Sequence, residues 1–489
     1  MGDVERIEAE YTHGSIASTM LRTAFAMLAS TLAMSAYNVA DTFFVGRMGG
    51  ESPLAAMGFT FPIVMLCACI FGGFGGGCMA TMAHAIGEGD RKGACRIVTS
   101  GMLLIVGLAV VVTVLGVLFG DRIYGMMGAN GETLRQLEAY MDIWFMGCIT
   151  AAVSMPGNHL LIAAGKPKIA SIMTIAGVAI NILLDPIMIY GGAGCLSRAV
   201  AATPGWSHGM IRGGLWAFSF MPEMGIRGAA LATIISQCFS AVALVVILNR
   251  LGLLSFGRMP WHHIKAAWGK ITGYAVPNIL GMVLFPLTNY VTTWVTAFFG
   301  ETMVAAVAAA GRLENLAFVL PMAFGMPLMS IVAQNYGAGL YNRVRYAYKF
   351  ASLVALCYLG VMCLVLFFFA PKLVGIFTPE PAIQKMMVEY MRIIPWGFVF
   401  IEITRFSGFV LTGCGHPRMD AALKAVRMAG IMIPLSLLAR YLQWRQGVFY
   451  TRLATDVLGG AICIYFAVRM LKRLPEVGES REERGGRRG

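Results

Sequence analysis

Charge is what this sequence has least of. Asp, Glu, Lys and Arg make up 13% of its 489 residues and hydrophobic residues 58%, where a soluble globular chain carries about 25% charge, so a soluble enzyme of two or three domains is excluded. No CxxC pair, HExxH pattern or DDxxD-like cluster occurs, which argues against zinc sites, metal hydrolysis and Mg²⁺-dependent prenyl transfer. Most of the eleven cysteines, among them Cys67, Cys69, Cys78, Cys148, Cys238, Cys357, Cys363 and Cys463, sit inside apolar runs. There Cys behaves as a small hydrophobe, so no disulfide framework is expected. The Gly72–Cys78 run, GGFGGGC, lacks the Lys-Ser/Thr of a phosphate loop and lies in an apolar stretch; close helix packing or a kink explains it better. The first residues, MGDVERIEAEY, are acidic where a secretory signal is basic, so no cleavage is expected. Neither an enzyme nor a bound cofactor is expected.

What is present is apolar length. Stretches without Asp, Glu, Lys or Arg cover 23–40, 52–87, 97–120, 143–165, 228–249, 273–300, 315–342 and 350–371, each near or above the ~18–20 residues that cross hydrocarbon. Four more, 169–190, 391–413, 421–442 and 453–471, are interrupted by charges that include Asp185, Glu402, Arg405 and Asp456. Twelve spans follow, and unbroken runs of this length do not fit the alternating ~10-residue segments of a membrane barrel. The fold class is an all-α polytopic membrane protein. Its net charge of +13 is topological, so no nucleic-acid partner is expected: the connections 2–3, 4–5, 6–7 and 8–9 hold Arg91, Lys92, Arg96, Lys166, Lys168, Arg250, Arg258, Lys265, Lys270, Arg343, Arg345 and Lys349, and the tail adds more. The opposite loops are poorer, with Arg47, Arg122, Arg135, Arg198, Arg212, Lys372, Lys385, Arg445 and Arg452. The positive-inside rule then places both termini in the cytoplasm.

Internal duplication divides the chain. AHAIGEGD from Ala83 aligns with AQNYGAGL from Ala333, and Gly165 and Pro167 align with Gly415 and Pro417, all at an offset of 250. Near the end of each half the offset falls to 222, where GIRGAALAT (Gly225 to Thr233) meets GVFYTRLAT (Gly447 to Thr455), so the first half holds 28 extra residues within 191–222. The insertion carries Trp206, Trp216, Phe218 and Phe220 and reads as an extracytoplasmic segment anchored at the interface, or alternatively as a lid. Six spans per half give two lobes of like orientation, related by a pseudo-twofold along the membrane normal and facing a central cavity. The expected organisation is an N-terminal cytoplasmic segment (1–15), an N-lobe (16–250), a cytoplasmic linker (251–272), a C-lobe (273–471) and a disordered cytoplasmic tail (472–489).

NVADTFFVGRMG (Asn38 to Gly49), the following PLAAMGF, the GEGD loop, NILLDPIMIYG (Asn181 to Gly191), GIRGAALAT and VAQNYGAG together resemble the multidrug and toxic compound extrusion (MATE) family, and within it the prokaryotic branch of DNA-damage-inducible-protein-F-like members. The match runs from about residue 15 to 471. The resemblance implies a secondary antiporter of the prokaryotic inner membrane, and a monomer suffices because the cavity lies between the lobes of one chain. It would export amphipathic, often cationic small molecules in exchange for H⁺ or Na⁺, moving between two lobes in the bilayer. A flippase for lipid-linked saccharides or similar amphiphiles is the alternative that the wider superfamily offers.

A carboxylate at a helix centre costs roughly 2.5–3.5 kcal/mol on insertion scales, so one that is kept invites a functional reading. Tyr37 and Asp41 are four apart at the end of span 1, and Asn181 and Asp185 are four apart on span 5, which puts each pair on one helix face. If spans 1, 5 and 6 meet, Asp41, Asp185, the Asn181 amide oxygen and the Thr233 hydroxyl form an all-oxygen site for Na⁺, and the same two carboxylates can instead carry a proton as a coupled pair. The family resemblance assigns Tyr37, Asp41, Asn181, Asp185 and Thr233 to the first-lobe cation or proton site and fits Tyr140 to its lining. The second half does not repeat the set: Asp185 aligns with Leu435 and Asp41 falls near Thr292. In that half Glu402 and Arg405 are spaced to neutralise one another, Arg312 and Glu314 point different ways and seek other helices, and Met322 and Met326 with Met329 offer adaptable thioethers. Arg312, Glu314, Met322, Met326, Glu402 and Arg405 are the candidates for substrate cavity or gating.

Overall fold

The computed structural model describes residues 9–48, 52–202, 222–255, 259–378 and 380–475. Among them there are helices and no strand, the outcome hydrocarbon imposes on backbone that has no water to bond. Twelve helices are long and apolar enough to span: α1 (Ile16–Gly46), α2 (Ala55–Gly87), α3 (Arg91–Met126), α4 (Gly131–Ala163), α5 (Pro167–Gly191), α6 (Ile226–Arg250), α7 (Trp261–Phe298), α8 (Glu301–Gly337), α9 (Tyr341–Gly375), α10 (Pro381–Gly413), α11 (Pro417–Tyr441) and α12 (Gly447–Lys472). On α3 the small residues Gly101, Ala109, Gly116 and Gly120 are buried, while Leu103, Val110, Val114, Val117 and Leu118 are exposed. That division puts small residues against protein and branched ones against lipid.

Two helices depart from α geometry in the middle. A 3-10 turn, Ile394–Gly397, interrupts α10 at Pro395, and a π segment, Val426–Met432, lies inside α11. Gly191, at φ 71°, breaks the helix after α5, which then resumes to Ala202. The rest of the insertion, with Trp206, Trp216, Phe218 and Phe220, lies outside the described residues, as do residues 1–8 and most of the tail.

In the first six helices α2 packs on α4, α4 on α6, and α5 between α1 and α6; in the second six α7 packs on α11, α8 on α9 and α10, and α10 on α12. The lobes meet along α2, which contacts both α7 and α8. The glycine run is that seam: Cβ atoms at Gly73 and Gly77 would stand 2.3 Å from an Ile279 side-chain carbon and 2.9 Å from the Ile271 carbonyl, and Gly75 faces His159 of α4. The contact tightens at the end bearing the 2–3 and 8–9 connections, where Gly87 faces the Gln334 carbonyl and Gly337 faces the His84 carbonyl. The His84 ring there stacks on Tyr336 and hydrogen-bonds the Gly413 carbonyl. α1 belongs to both lobes: Ile16, Met20 and Ala24 are in a core with Phe324, Leu328 and Ile331 of α8, whereas Val45 is in the core of the first lobe. These inter-lobe contacts all fall on the side of the Lys/Arg-rich connections, so the lobes are closed there.

A methyl at Gly87 would stand 2.1 Å from the Gln334 carbonyl oxygen, against open space at Gly107. Gly87→Ala therefore lowers thermal stability in detergent by about 1–3 kcal/mol, and Gly107→Ala leaves it unchanged or raises it slightly. Equal midpoints for the two variants would show that the seam yields freely.

Candidate cation site

The first-lobe site is assembled by a close helix crossing. A Cβ at Gly228 of α6 would sit 2.3 Å from the Met188 carbonyl of α5, and one at Gly177 of α5 would sit 2.5 Å from the Ser240 hydroxyl of α6. Between these two close approaches the Asn181 amide bridges the helices, donating to Asp185 Oδ1 at 3.3 Å and to Thr233 Oγ1 at 3.4 Å. α1 is tied to α5 just beyond, where the Tyr190 hydroxyl donates to the Phe44 carbonyl at 2.6 Å. That bond brings Asp41 to the same place, within electrostatic range of Asp185. Tyr37 and Tyr140 both lie beside Thr233, within electrostatic range of Asp41 and Asp185. All six residues expected here from the sequence are therefore brought together. Asp41, Tyr140, Asn181, Asp185 and Thr233 are buried and Tyr37 is half-buried.

What the site lacks is a cation. Among the described residues neither Asp41 nor Asp185 pairs with Lys, Arg or His, and Arg47 lies instead over the Phe43 ring, 4.3 Å from its centroid. Asp41 Oδ1, Asn181 Oδ1 and Asp185 Oδ2 are buried and accept no hydrogen bond. Buried oxygens of this kind in a native fold are satisfied by taking up a proton, an ion or water. The donor set, carboxylate and amide oxygens with a hydroxyl beside them, suits a hard monovalent cation or a proton, and no described cluster of three His, Cys, Asp or Glu side chains supports a transition metal.

The second lobe solves the same problem differently. Glu314 accepts from the Tyr390 hydroxyl at 2.6 Å and from Arg452, Arg452 also donates to the Tyr390 oxygen at 3.0 Å, and Arg452 Nε lies 3.9 Å from Asp456 Oδ2. Asp456 is further paired with Arg427, Glu402 with Arg405, and Asp420 with Lys424 at 2.7 Å. Arg452, grouped by sequence with the outer loops, is in fact a residue of α12 turned into the lobe. The repeat itself held the signal for this cluster, since Tyr390 lies 250 residues from Tyr140. Thr292, Ser436, Thr451, Tyr390 and Arg452 line a cavity of about 20 Å³ beside it, room for about one water. Of the other substrate-side candidates, Arg312 and Met322 are exposed, Met326 packs against the first lobe's core, and the Arg405 guanidinium lies 5.6 Å from the Phe318 ring centroid.

The MatE family model matches the chain twice, over residues 26–187 and 277–438, one match per lobe. The chain belongs to the MatE family. It is a twelve-helix membrane transporter of the MATE type and not an enzyme. A FAD transporter of Shewanella oneidensis is 27% identical over 459 residues, covering 93% of this chain and 95% of that one. The multidrug export protein MepA of Staphylococcus aureus is 22% identical and covers 90% of each. Among solved structures, the Vibrio cholerae MATE transporter VcmN in the bent form superposes with a TM-score of 0.82 at 22% identity, covering 93% of this chain and 97% of that chain. A Pyrococcus furiosus transporter of the MOP superfamily, for which a binding pocket of reverse polarity is described, superposes with a TM-score of 0.81 at 20% identity over 96% of this chain and 99% of that one. These structural likenesses establish the two-lobed fold.

Removing one partner of a buried ion network leaves the other charge uncompensated, at about 3–5 kcal/mol. Arg452→Met is therefore expected to lower thermal stability by that amount, and adding Glu314→Gln to it to restore a good part. A single variant as stable as the unaltered protein would remove the network from the second lobe's stability.

Proposed function

We propose that this MATE protein is a cation-coupled antiporter of a prokaryotic inner membrane, working as a monomer with both termini cytoplasmic. It would export amphipathic aromatic compounds in exchange for H⁺ or Na⁺. The observation that carries the reading is the set of buried, unpartnered oxygens on Asp41, Asn181 and Asp185, with no Lys, Arg or His among the described residues paired to either carboxylate. A proton or Na⁺ entering between α1 and α5 neutralises part of this charge, and a state that binds the ion better is populated at the expense of the other. Reciprocity then requires that a substrate favouring the opposite state weaken ion binding, which is the thermodynamic content of antiport.

The substrate range of the relatives spans flavin dinucleotide and multidrug export. Cationic drugs are the first choice for a lobe carrying two unpaired carboxylates. The second lobe favours an additional reading: Arg440 lies 4.1 Å from the Trp294 ring centroid and 4.8 Å from that of Phe298, an arrangement of cation on aromatic that suits anionic aromatic solutes.

Purified protein in liposomes loaded separately with ethidium and with flavin adenine dinucleotide, and driven by a pH gradient alone or a Na⁺ gradient alone, tests the proposal. One gradient is expected to drive export, and Asp41→Asn and Asp185→Asn to reduce it at least tenfold while unfolding at the wild-type temperature. Undiminished export in both variants sinks the assigned site; no export of either solute under either gradient shifts the weight to a flippase of lipid-linked amphiphiles.

A further inference from the structure

The closed side of the transporter is held by more than the two lobes. A short 3-10 turn, Glu10–Thr12, precedes α1, and its Tyr11 is 1% exposed. Every polar atom of Tyr11 is used, and the partners are divided between the lobes. Its hydroxyl donates to the Ile162 carbonyl at the end of α4 at 3.0 Å. Its amide donates to Gln334 Oε1 of α8 at 3.1 Å, and its carbonyl accepts from Asn335 Nδ2 at 3.0 Å and Arg343 Nη2 at 3.2 Å. Gln334 closes the circuit by donating to the Ala163 carbonyl at 2.7 Å. Beside it Glu10 is 3.9 Å from Lys166 of the 4–5 connection.

We infer that Tyr11 is the bolt of the gate on the Lys/Arg-rich side, a gating residue that has to leave the first lobe each time the transporter opens there. The attachments are unequal, and their inequality says how it moves. Toward the second lobe Tyr11 makes three hydrogen bonds, Arg343 adds a bond to the Gly14 carbonyl at 2.8 Å, and the first turns of α1 continue into the core of that lobe through Ile16, Met20 and Ala24. Toward the first lobe it makes a single hydroxyl bond and packs its ring. When the lobes part, Tyr11 travels with the second lobe, and the Ile162 and Ala163 carbonyls lose the Tyr11 hydroxyl and Gln334 amide together. The Ile162 carbonyl keeps the Gly165 amide, but the lost Tyr11 bond and the Ala163 carbonyl's lost Gln334 donor cost free energy until water reaches them, so the bolt sets the population of the closed state without touching substrate. This inference concerns the gate alone and does not depend on which ion drives transport.

Amide hydrogen exchange on the full chain in lipid nanodiscs tests it, because exchange reads local opening residue by residue. Tyr11→Phe, which keeps the ring and the backbone bonds, is expected to speed exchange about two- to tenfold, the worth of one buried hydrogen bond, at residues 84–90 and 160–166. Tyr11→Ala should exceed that, and residues 299–303 at the opposite end should exchange no faster in either variant. A merely structural role would speed both ends together, and that result, or wild-type exchange at 84–90 and 160–166 in Tyr11→Phe, overturns the inference. Should Tyr11→Ala fail to fold, the Phe variant alone decides.

Discussion

A carboxylate in hydrocarbon has to be paired, protonated or ligated, because the membrane offers it no water. The rest of this molecule is arranged around that constraint, and its two lobes meet it in opposite ways. In the second lobe Glu314, Glu402, Asp420 and Asp456 each have an arginine or lysine beside them, so their charge is countered within the fold. In the first lobe Asp41 and Asp185 share a site whose described neighbours are an amide and hydroxyls. Their charge is left to be settled by something that arrives and leaves. On the proposed reading, the lobe with paired charges is the scaffold and the lobe with open carboxylates is the one that responds to the ion supply.

Sensing becomes transport only if the ion site and the gate move together, and α1 is the element that joins them. It starts in the core of the second lobe and ends in that of the first, with Asp41 near its far end and the Tyr11 turn just before its start. A helix of 31 residues rises about 45 Å at 1.5 Å per residue, enough to reach across the bilayer. A change in how α1 is held beside Asp185 therefore has a direct mechanical route to the contacts at Ile162 and Gln334. The route runs along one secondary element and needs no relay of side chains through the cavity. The seam along α2 supports this economy: glycines where α2 meets α7 and α8 let the helices approach closely, beside the contacts that α1 and α4 make with α8 and α3 makes with α7.

The twelve spans, the duplication and the two carboxylate pairs of the first lobe were legible in the sequence as patterns of length, repeat and spacing, whereas Tyr140 joined the site through the family resemblance alone. Apolar length is read directly, and spacing of four places Tyr37 with Asp41 and Asn181 with Asp185 on common faces before any packing is known. The glycine run of α2 was readable as a packing surface for the same reason. The second-lobe cluster left only one trace, the Tyr140/Tyr390 correspondence of the repeat, since Glu314, Tyr390 and Arg452 come from three helices and nothing local marks them as partners. Arg452 is misleading on its own, because five residues from the start of a helix is where a loop charge also stands. The Tyr11 gate was hidden too: its partners lie 151 and 323 residues away, and a tyrosine before a first span looks like any interfacial aromatic. The breaks in α10 and α11 fall where proline or backbone strain competes with the ladder, a balance that spacing does not reveal.

Duplication makes the difference between the lobes interpretable as divergence from one plan. Tyr140 and Tyr390 occupy matching positions, and so do Thr233 and Thr455, but Arg452 stands where the first lobe has Ala230, and Arg427 where it has Gly177. The two arginines enter at the α11–α12 contact, the counterpart of the α5–α6 crossing that holds Asn181 against Thr233. At Gly177 the absent side chain lets α5 approach Ser240 closely enough for that bridge; at Arg427 the same position fills the gap with a guanidinium and binds Asp456. One scaffold has thus been specialised at homologous places, small residues keeping the first lobe's carboxylates without a counter-charge and large cations neutralising those of the second. The exchange of a small residue for an arginine at these two positions thus changes the helix approach and the charge together.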